Sequence, residues 1–142
     1  MDTVHALDYL EYAYLQIGDE AAARQALAEA AAAKAFDDPR FAAGYALAAI
    51  PARFALERRD WKAAAQLEPP SVALDWASFP YARAITYFAQ AIGASRIGDL
   101  DRARSALRQI ETIHASLQKF PIAGPYDWTN QVYSASDGDS HG

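Results

Sequence analysis

Three short stretches, Gly18-Asp19-Glu20-Ala21, Arg59-Asp60-Trp61-Lys62 and Gly98-Asp99-Leu100-Asp101, decide the fold of this 142-residue chain. Each lies between two segments of helical apolar periodicity, and the aspartates of successive stretches are 41 and 39 residues apart. A helix that ends on glycine, an aspartate that caps the next helix and small residues in the first turn are typical of a tight helix–turn–helix. Repetition at this period predicts an array of helical hairpins and argues against a single-site enzyme.

The composition favours one all-helical domain. Hydrophobic residues make up 52% of the chain, and 34 residues are alanine, the strongest helix former. The formal charge of −5 argues against non-specific nucleic-acid binding, which needs a basic face. No apolar run is long enough to span a membrane, so no membrane partner is expected. The chain is compatible with the cytoplasm, which we favour, and with the periplasm; its arginine-rich, lysine-poor composition is typical of bacterial proteins.

The apolar spacing predicts three antiparallel hairpins, at residues 3–36, 39–67 and 80–119, followed by a partial helix at 126–133. Residues 1–133 form one domain in this prediction, and residues 134–142 form a disordered tail. The positions predicted to face inward include Leu7, Leu10, Tyr14 and Ile17 in the first helix, Ala23, Leu27, Ala30 and Ala31 in the second, Tyr81, Ile85, Phe88 and Ile92 in the fifth, and Ala103, Leu107, Ile110, Ile113 and Leu117 in the sixth.

Prolines interrupt the middle of the chain. Pro51 falls inside the third helix, where it removes a backbone hydrogen bond and predicts a kink. Pro69-Pro70 should stop the fourth helix near Gln66 or Leu67. The loop from there to Pro80 is long for a helical hairpin array.

The repeated pattern resembles the tetratricopeptide repeat. The first unit carries the large and small residues of that repeat at Leu7, Leu10, Tyr14, Gly18-Asp19, Ala23, Leu27 and Ala30. The third unit fits through Tyr87, Ala91, Gly98-Asp99, Ala103, Leu107 and Ile110, whereas the middle unit keeps only Asp60-Trp61 and Ala64. The stretch from Phe41 to Trp61, together with that from Tyr81 to Asp99, is also similar to a bacterial tetratricopeptide-repeat family of uncharacterised proteins. The resemblance implies an α-solenoid, of which this chain would be a fragment.

The same resemblance implies a non-catalytic protein–protein interaction module. In that family one face of each hairpin's first helix lines a concave groove, and mixed aromatic, carboxylate and guanidinium groups there suit a peptide or an acidic chain end. Carried onto this chain, the groove candidates are His5, Asp8, Tyr12, Gln16, Arg53, Glu57, Phe88 and Arg96. The alternative is that several of these residues simply pack between repeats.

The sequence predicts no catalytic residue, no metal and no cofactor. It contains no nucleophile elbow, glycine-rich phosphate loop or zinc-protease motif. The three histidines, His5, His114 and His141, lack the spacing of metal ligands. Asp37-Asp38 has the composition of an acid–base pair, but we interpret it as a turn in which Asp38 caps a helix beginning at Pro39.

Two other functions stay open at this stage. The chain could be a helical accessory region of a larger enzyme or of a secretion-linked protein. It could also bind a small ligand between Pro51 and the 67–80 loop, for which a closed cavity lined by Tyr, Trp and Phe would be the evidence. Finally, the apolar stripe of the sixth helix around Ile113, Leu117 and Phe120 needs a cover. We expect Tyr126 and Trp128 to supply it, with a homodimer as the alternative.

Overall fold

The computed structural model describes residues 3–32, 41–70 and 79–119, and every regular element in these ranges is an α-helix. The helices are α1 (Thr3–Gln16), α2 (Glu20–Ala31), α3 (Phe41–Glu57), α4 (Trp61–Ala65), α5 (Pro80–Ile97) and α6 (Leu100–Lys119). The all-α prediction is therefore confirmed for this part of the chain. The predictions for residues 33–40, 71–78 and 120–142 lie outside the described residues: the end of the second helix with its turn, most of the long loop, the partial helix and the tail.

The turn between α1 and α2 combines a helix end with a helix start. Gly18 has a φ of 77°, and the next N–H, that of Asp19, donates to the Tyr14 carbonyl at 2.9 Å. This six-to-one hydrogen bond around a left-handed residue is the Schellman motif. The Asp19 side chain then accepts from the Ala22 N–H at 3.0 Å and caps α2. One aspartate thus satisfies orphan backbone groups of both helices.

The turns between α3 and α4 and between α5 and α6 repeat this geometry bond for bond. Asp60 and Asp99 each donate an N–H across the preceding helix end and each accept, through Oδ1, from the N–H three residues on. Arg59 and Gly98 take the left-handed position, with φ values of 55° and 80°. The three turns predicted from the sequence are therefore confirmed.

The helices pack largely on their neighbours in chain order. α1 contacts α2 and α3, α3 also contacts α2, α4 and α5, and α5 contacts α4 and α6. One core cluster joins the first three helices, with Val4 and Leu7 from α1, Ala26 and Ala30 from α2, and Ala46, Leu47 and Ile50 from α3. α3 continues through Pro51 to its end at Glu57.

Helix α4 is short, as the Pro69-Pro70 pair predicts, and side chains of α5 and α6 donate hydrogen bonds to the carbonyl groups at its end. Arg102 of α6 donates to the Ala65 carbonyl at 3.1 Å, and the side chain of Gln90 donates to the Leu67 carbonyl. α5 approaches α4 at Gly93, where a Cβ would lie 2.6 Å from the Trp61 carbonyl oxygen. Only glycine permits this approach of the two backbones.

The predicted inward faces of α1 and α6 are wrong in part. Leu10 and Ile17 are 45% and 75% exposed, so the buried face of α1 is rotated away from them. That face consists of Val4, Leu7, Asp8 and Glu11. In α6, Leu107 is exposed and the adjacent Ala106 is buried, because α5 packs on the small residues of that helix; Ala31 in α2 and Phe88 in α5 are exposed as well.

Candidate functional site

Two carboxylates of helix α1 lie in its contact with α3. Asp8 is 7% exposed and Glu11 is fully buried. Because residues three, four and seven positions apart share one face of a helix, both carboxylates continue the stripe that Val4 and Leu7 begin. The first half of the α1–α3 contact is therefore apolar and the second half is charged.

Arg53 of α3 holds both carboxylates with one nitrogen. Its Nη1 donates to Asp8 Oδ1 and to Glu11 Oε2, each at 2.8 Å, and also to the Asp8 carbonyl at 3.3 Å. Such short hydrogen bonds between ionised groups are roughly twice as strong as those between neutral groups. The guanidinium also lies over the Tyr12 ring, 5.6 Å from its centroid. Asp8, Tyr12 and Arg53, three of the predicted groove residues, are thus in direct contact; they form, with Glu11, the α1–α3 charge cluster.

Glu11 is an unusual member of the charge cluster. Burial raises its pKa from 4.5 to about 7, against the hydrogen bond and charge of Arg53, which lower it; the negative charges of Asp8 and Glu57 raise it further. Its Oε1 is buried and has no hydrogen-bond partner among the described residues. A carboxylate normally accepts several hydrogen bonds, so one unsatisfied oxygen in the interior favours the neutral form.

The turn geometry places several predicted groove residues at equivalent positions. Gln16, Glu57 and Arg96 each lie three residues before the capping aspartate of their hairpin, and Tyr12 and Arg53 each lie seven before it. Because the three helix ends share one geometry, residues at equal offsets take equivalent places on α1, α3 and α5. The candidate face is accordingly made of one helix from each hairpin.

The remaining candidates lie apart from the charge cluster or at its border. Phe88 on α5 is 54% exposed, and Arg96 lies 5.3 Å from the centre of the Trp61 ring at the junction of α4 and α5. Gln16 is exposed at the end of α1. The His5 ring meets Tyr9 edge to face at 5.0 Å, and its Nδ1 is buried without a partner among the described residues.

Sequence reasoning missed the buried Glu11 and did not include the exposed Tyr9 and Tyr45 among the candidates. Tyr9 and Tyr45 are large exposed side chains on α1 and α3. Glu11 lies seven residues after Val4 and four after Leu7, and it therefore shares their face of α1. Glu11 was missed because only hydrophobic residues were expected on the inward face of α1.

A separate apolar cleft of about 330 Å³ lies between α2, α3 and the segment after α4. Leu27, Leu47, Pro51, Glu68 and Pro69 are among its lining residues. It occupies the place at which the sequence suggested a small-ligand pocket. The described residues that line it include no Tyr, Trp or Phe.

Within residues 3–32, 41–70 and 79–119, no group of three or more His, Cys, Asp or Glu residues is placed to hold a metal ion. No helix of these ranges is long and apolar enough to cross a bilayer. No known protein family, curated protein or solved structure matches the chain.

Proposed function

We propose that the chain is part of a tetratricopeptide-like α-solenoid that binds a segment of a partner protein, without catalysis, on the face formed by α1, α3 and α5. The observation that carries this proposal is the triple repetition of one hairpin turn, each time with one residue in the left-handed conformation followed by a capping aspartate. Equal turns at near-equal spacing arrange equivalent helices side by side, which is the basis of a solenoid's extended binding surface.

Exposed aromatic side chains on these three helices support the proposal. Tyr12 on α1 is 49% exposed, and Tyr45 on α3 and Phe88 on α5 are exposed as well. Tyrosine and phenylalanine bury large areas with few rotatable bonds, and aromatic residues are enriched at protein interfaces. Isolated exposed apolar residues are ordinary, but each of these three helices carries one, and we propose that this aromatic row contacts a bound segment.

The charge cluster changes the expected chemistry of the partner. Arg53 is already bonded to Asp8 and Glu11, so its charge is satisfied within the chain. For the groove candidates Asp8 and Arg53, we therefore propose the alternative role, in which they pack between repeats and do not contact a ligand. Arg53, the cation predicted to pair with an acidic chain end of a partner, is thus already engaged within the chain. We therefore expect a partner to contact the aromatic row, Gln16 and Glu57.

A comparative pull-down from the source cells tests the proposal. The Tyr12→Ala/Phe88→Ala double variant removes two members of the aromatic row, whereas Leu107→Ala removes an equally exposed apolar side chain from α6. We expect one protein, identified by mass spectrometry, to be retained by the wild type and by Leu107→Ala and to be lost with the double variant. Equal retention by all three chains would show that the face does not bind it.

Two other functions remain as alternatives to this proposal. The cleft beside Pro51 favours a small-ligand module by its position, but its described lining lacks the aromatic residues that such a pocket was expected to have. A thermal shift with small apolar compounds that Ala31→Trp abolishes would support that function, because Ala31 lines the cleft and is exposed. A purely architectural region of a larger protein would show neither response.

A further inference from the structure

We propose that Glu11 is a proton-operated latch between α1 and α3, which holds the second half of α1 against α3 when its carboxyl is neutral and loosens it when the carboxyl ionises. This inference concerns the stability of the helix pair and does not depend on the proposed function. It rests first on the position of the carboxyl, which is fully buried in the contact between the two helices.

The two halves of the α1–α3 contact differ in the residues that form them. Val4 and Leu7 fix the first half of α1 in the apolar cluster with Leu47 and Ile50. One turn later Glu11 takes the corresponding inward position, and beyond it every residue of α1 is exposed or only half-buried. Against α3, the second half of α1 is therefore held mainly by the α1–α3 charge cluster.

The charges around Glu11 do not balance when it is ionised. Asp8 from α1 and Glu57 from α3 add negative charge, and Arg53 from α3 is the cation that pairs with it. Asp8 and Glu11 then share a single Nη1 of Arg53, and Glu57 adds a third negative charge that acts on Glu11. Helix α2 contributes the uncharged Ala26 and Ala30 to the neighbouring apolar cluster. His5, one turn before Asp8, contacts Tyr9.

Protonation of Glu11 reduces this imbalance by one charge. A neutral Glu11 leaves Arg53 with Asp8 as its ionised partner in direct contact, and no buried anion is left with an unsatisfied oxygen. Ionisation restores a buried charge with an incomplete set of hydrogen bonds, which is costly in a low-dielectric interior. The raised pKa of about 7 places this change close to neutral pH.

The sign of the effect follows from proton linkage. An acid whose pKa is higher in the folded chain than in the unfolded chain makes the folded state bind more protons. Its stabilising contribution is complete below the unfolded value of 4.5 and is lost as the pH rises through about 7. The opening constant of α1 should therefore increase by up to about tenfold per pH unit between pH 5 and 7, and level off above that range.

Native-state hydrogen exchange on the complete chain tests the latch. Opening constants for α1 and α6 amides, corrected for intrinsic exchange, are compared from pH 5 to 8.5 in the wild type, in Glu11→Gln and in Glu29→Gln. Glu29 is an exposed carboxylate on α2 bonded to Gln25, and its removal is the matched control. We expect a pH-dependent loss of α1 protection in the wild type and the control, and none in Glu11→Gln.

A second variant keeps the proposal testable if Glu11→Gln folds poorly. Glu57 is exposed, and its charge contributes to the raised pKa of Glu11, so Glu57→Gln should move the midpoint of α1 opening to lower pH. Parallel pH profiles in the wild type and Glu11→Gln would overturn the proposal. Equal loss of protection in α1 and α6 would also overturn it, because the effect would then be global.

Discussion

Arg59 departs from the pattern that Gly18 and Gly98 set in the other two turns. All three residues have positive φ values, but Arg59 adopts this conformation with a side chain. An L-residue in the left-handed region costs roughly 1–2 kcal/mol, which glycine avoids. We expect Arg59→Gly to raise the free energy of unfolding by about 0.5–1 kcal/mol, since part of the gain is lost to the greater freedom of glycine in the unfolded chain. Urea denaturation followed by circular dichroism measures the change.

Gly18 provides the reciprocal control for Arg59. A Cβ at Gly18 would meet no atom within 4 Å, so Gly18→Ala tests the backbone conformation without a steric clash. It should lower the free energy of unfolding by about 1 kcal/mol. A loss of stability in Arg59→Gly would mean that the arginine side chain contributes more than its backbone conformation costs.

At the scale of elements, Gly93 determines how closely α5 can approach α4. Glycine inside a helix is usually worse than alanine by about 1 kcal/mol, so propensity alone predicts that Gly93→Ala is stabilising. The new Cβ would meet the backbone of α4 at Ala65 N and at Trp61 O, neither of which is the end of a flexible side chain. We expect a loss of about 1–3 kcal/mol in the free energy of unfolding, as is typical of overpacked sites.

Gly44 is the comparison position for Gly93. A Cβ there would lie 3.1 Å from the Phe79 ring, which is a side chain and can shift. Gly44→Ala should therefore cost less than Gly93→Ala in the same denaturation experiment. An equal or smaller loss for Gly93→Ala would show that α4 moves away from α5 without cost.

The helices and turns could be predicted because their signals are local. Each capping aspartate bonds to an N–H three residues away, and each helix end is closed by bonds spanning a few residues. The rotation of α1 could not be predicted in this way. Asp8 and Glu11 are buried because Arg53 lies against them, and Arg53 is 45 and 42 residues further along the chain. A buried carboxylate pair is stable only with its cation, so no local pattern shows which face turns inward.

The candidate site was predictable to the same limited extent. Tyr12, Arg53 and Glu57 could be placed on related faces because their offsets from the capping aspartates follow the repeat. The mutual bonding of Asp8 and Arg53 could not be foreseen, since it depends on the distance between two helices from different hairpins. The close approach at Gly93 was likewise invisible to propensity, because it depends on which residues of α4 lie opposite.

At the scale of the whole molecule, the sixth helix presents an apolar surface. Leu100 and Leu107, seven residues apart and hence on one face of α6, are both exposed. In a solenoid each hairpin covers the apolar face of its neighbour, and contiguous bare apolar surface promotes association. We expect the chain to dimerise weakly through α6 at high concentration, which sedimentation velocity over a range of concentrations measures. Leu107→Glu should abolish the association and leave the helical circular dichroism signal unchanged.

Deletion of part of the segment after Lys119 is a second test of this prediction. Tyr126 and Trp128 were predicted to cover the stripe around Ile113 and Leu117, but Ile113 is 7% exposed and Leu117 is half-buried among the described residues. We therefore expect them to dock around Leu107 instead and to compete there with a second copy. Full burial of a large apolar side chain contributes about 1.5–3 kcal/mol, so deletion of residues 125–142 should strengthen dimerisation or lower helicity. In the deleted chain Leu107→Glu should again restore the monomer. A deleted chain that stays monomeric and equally stable would contradict both the docking of this segment and the dimer, because the exposed face of α6 would then need no cover.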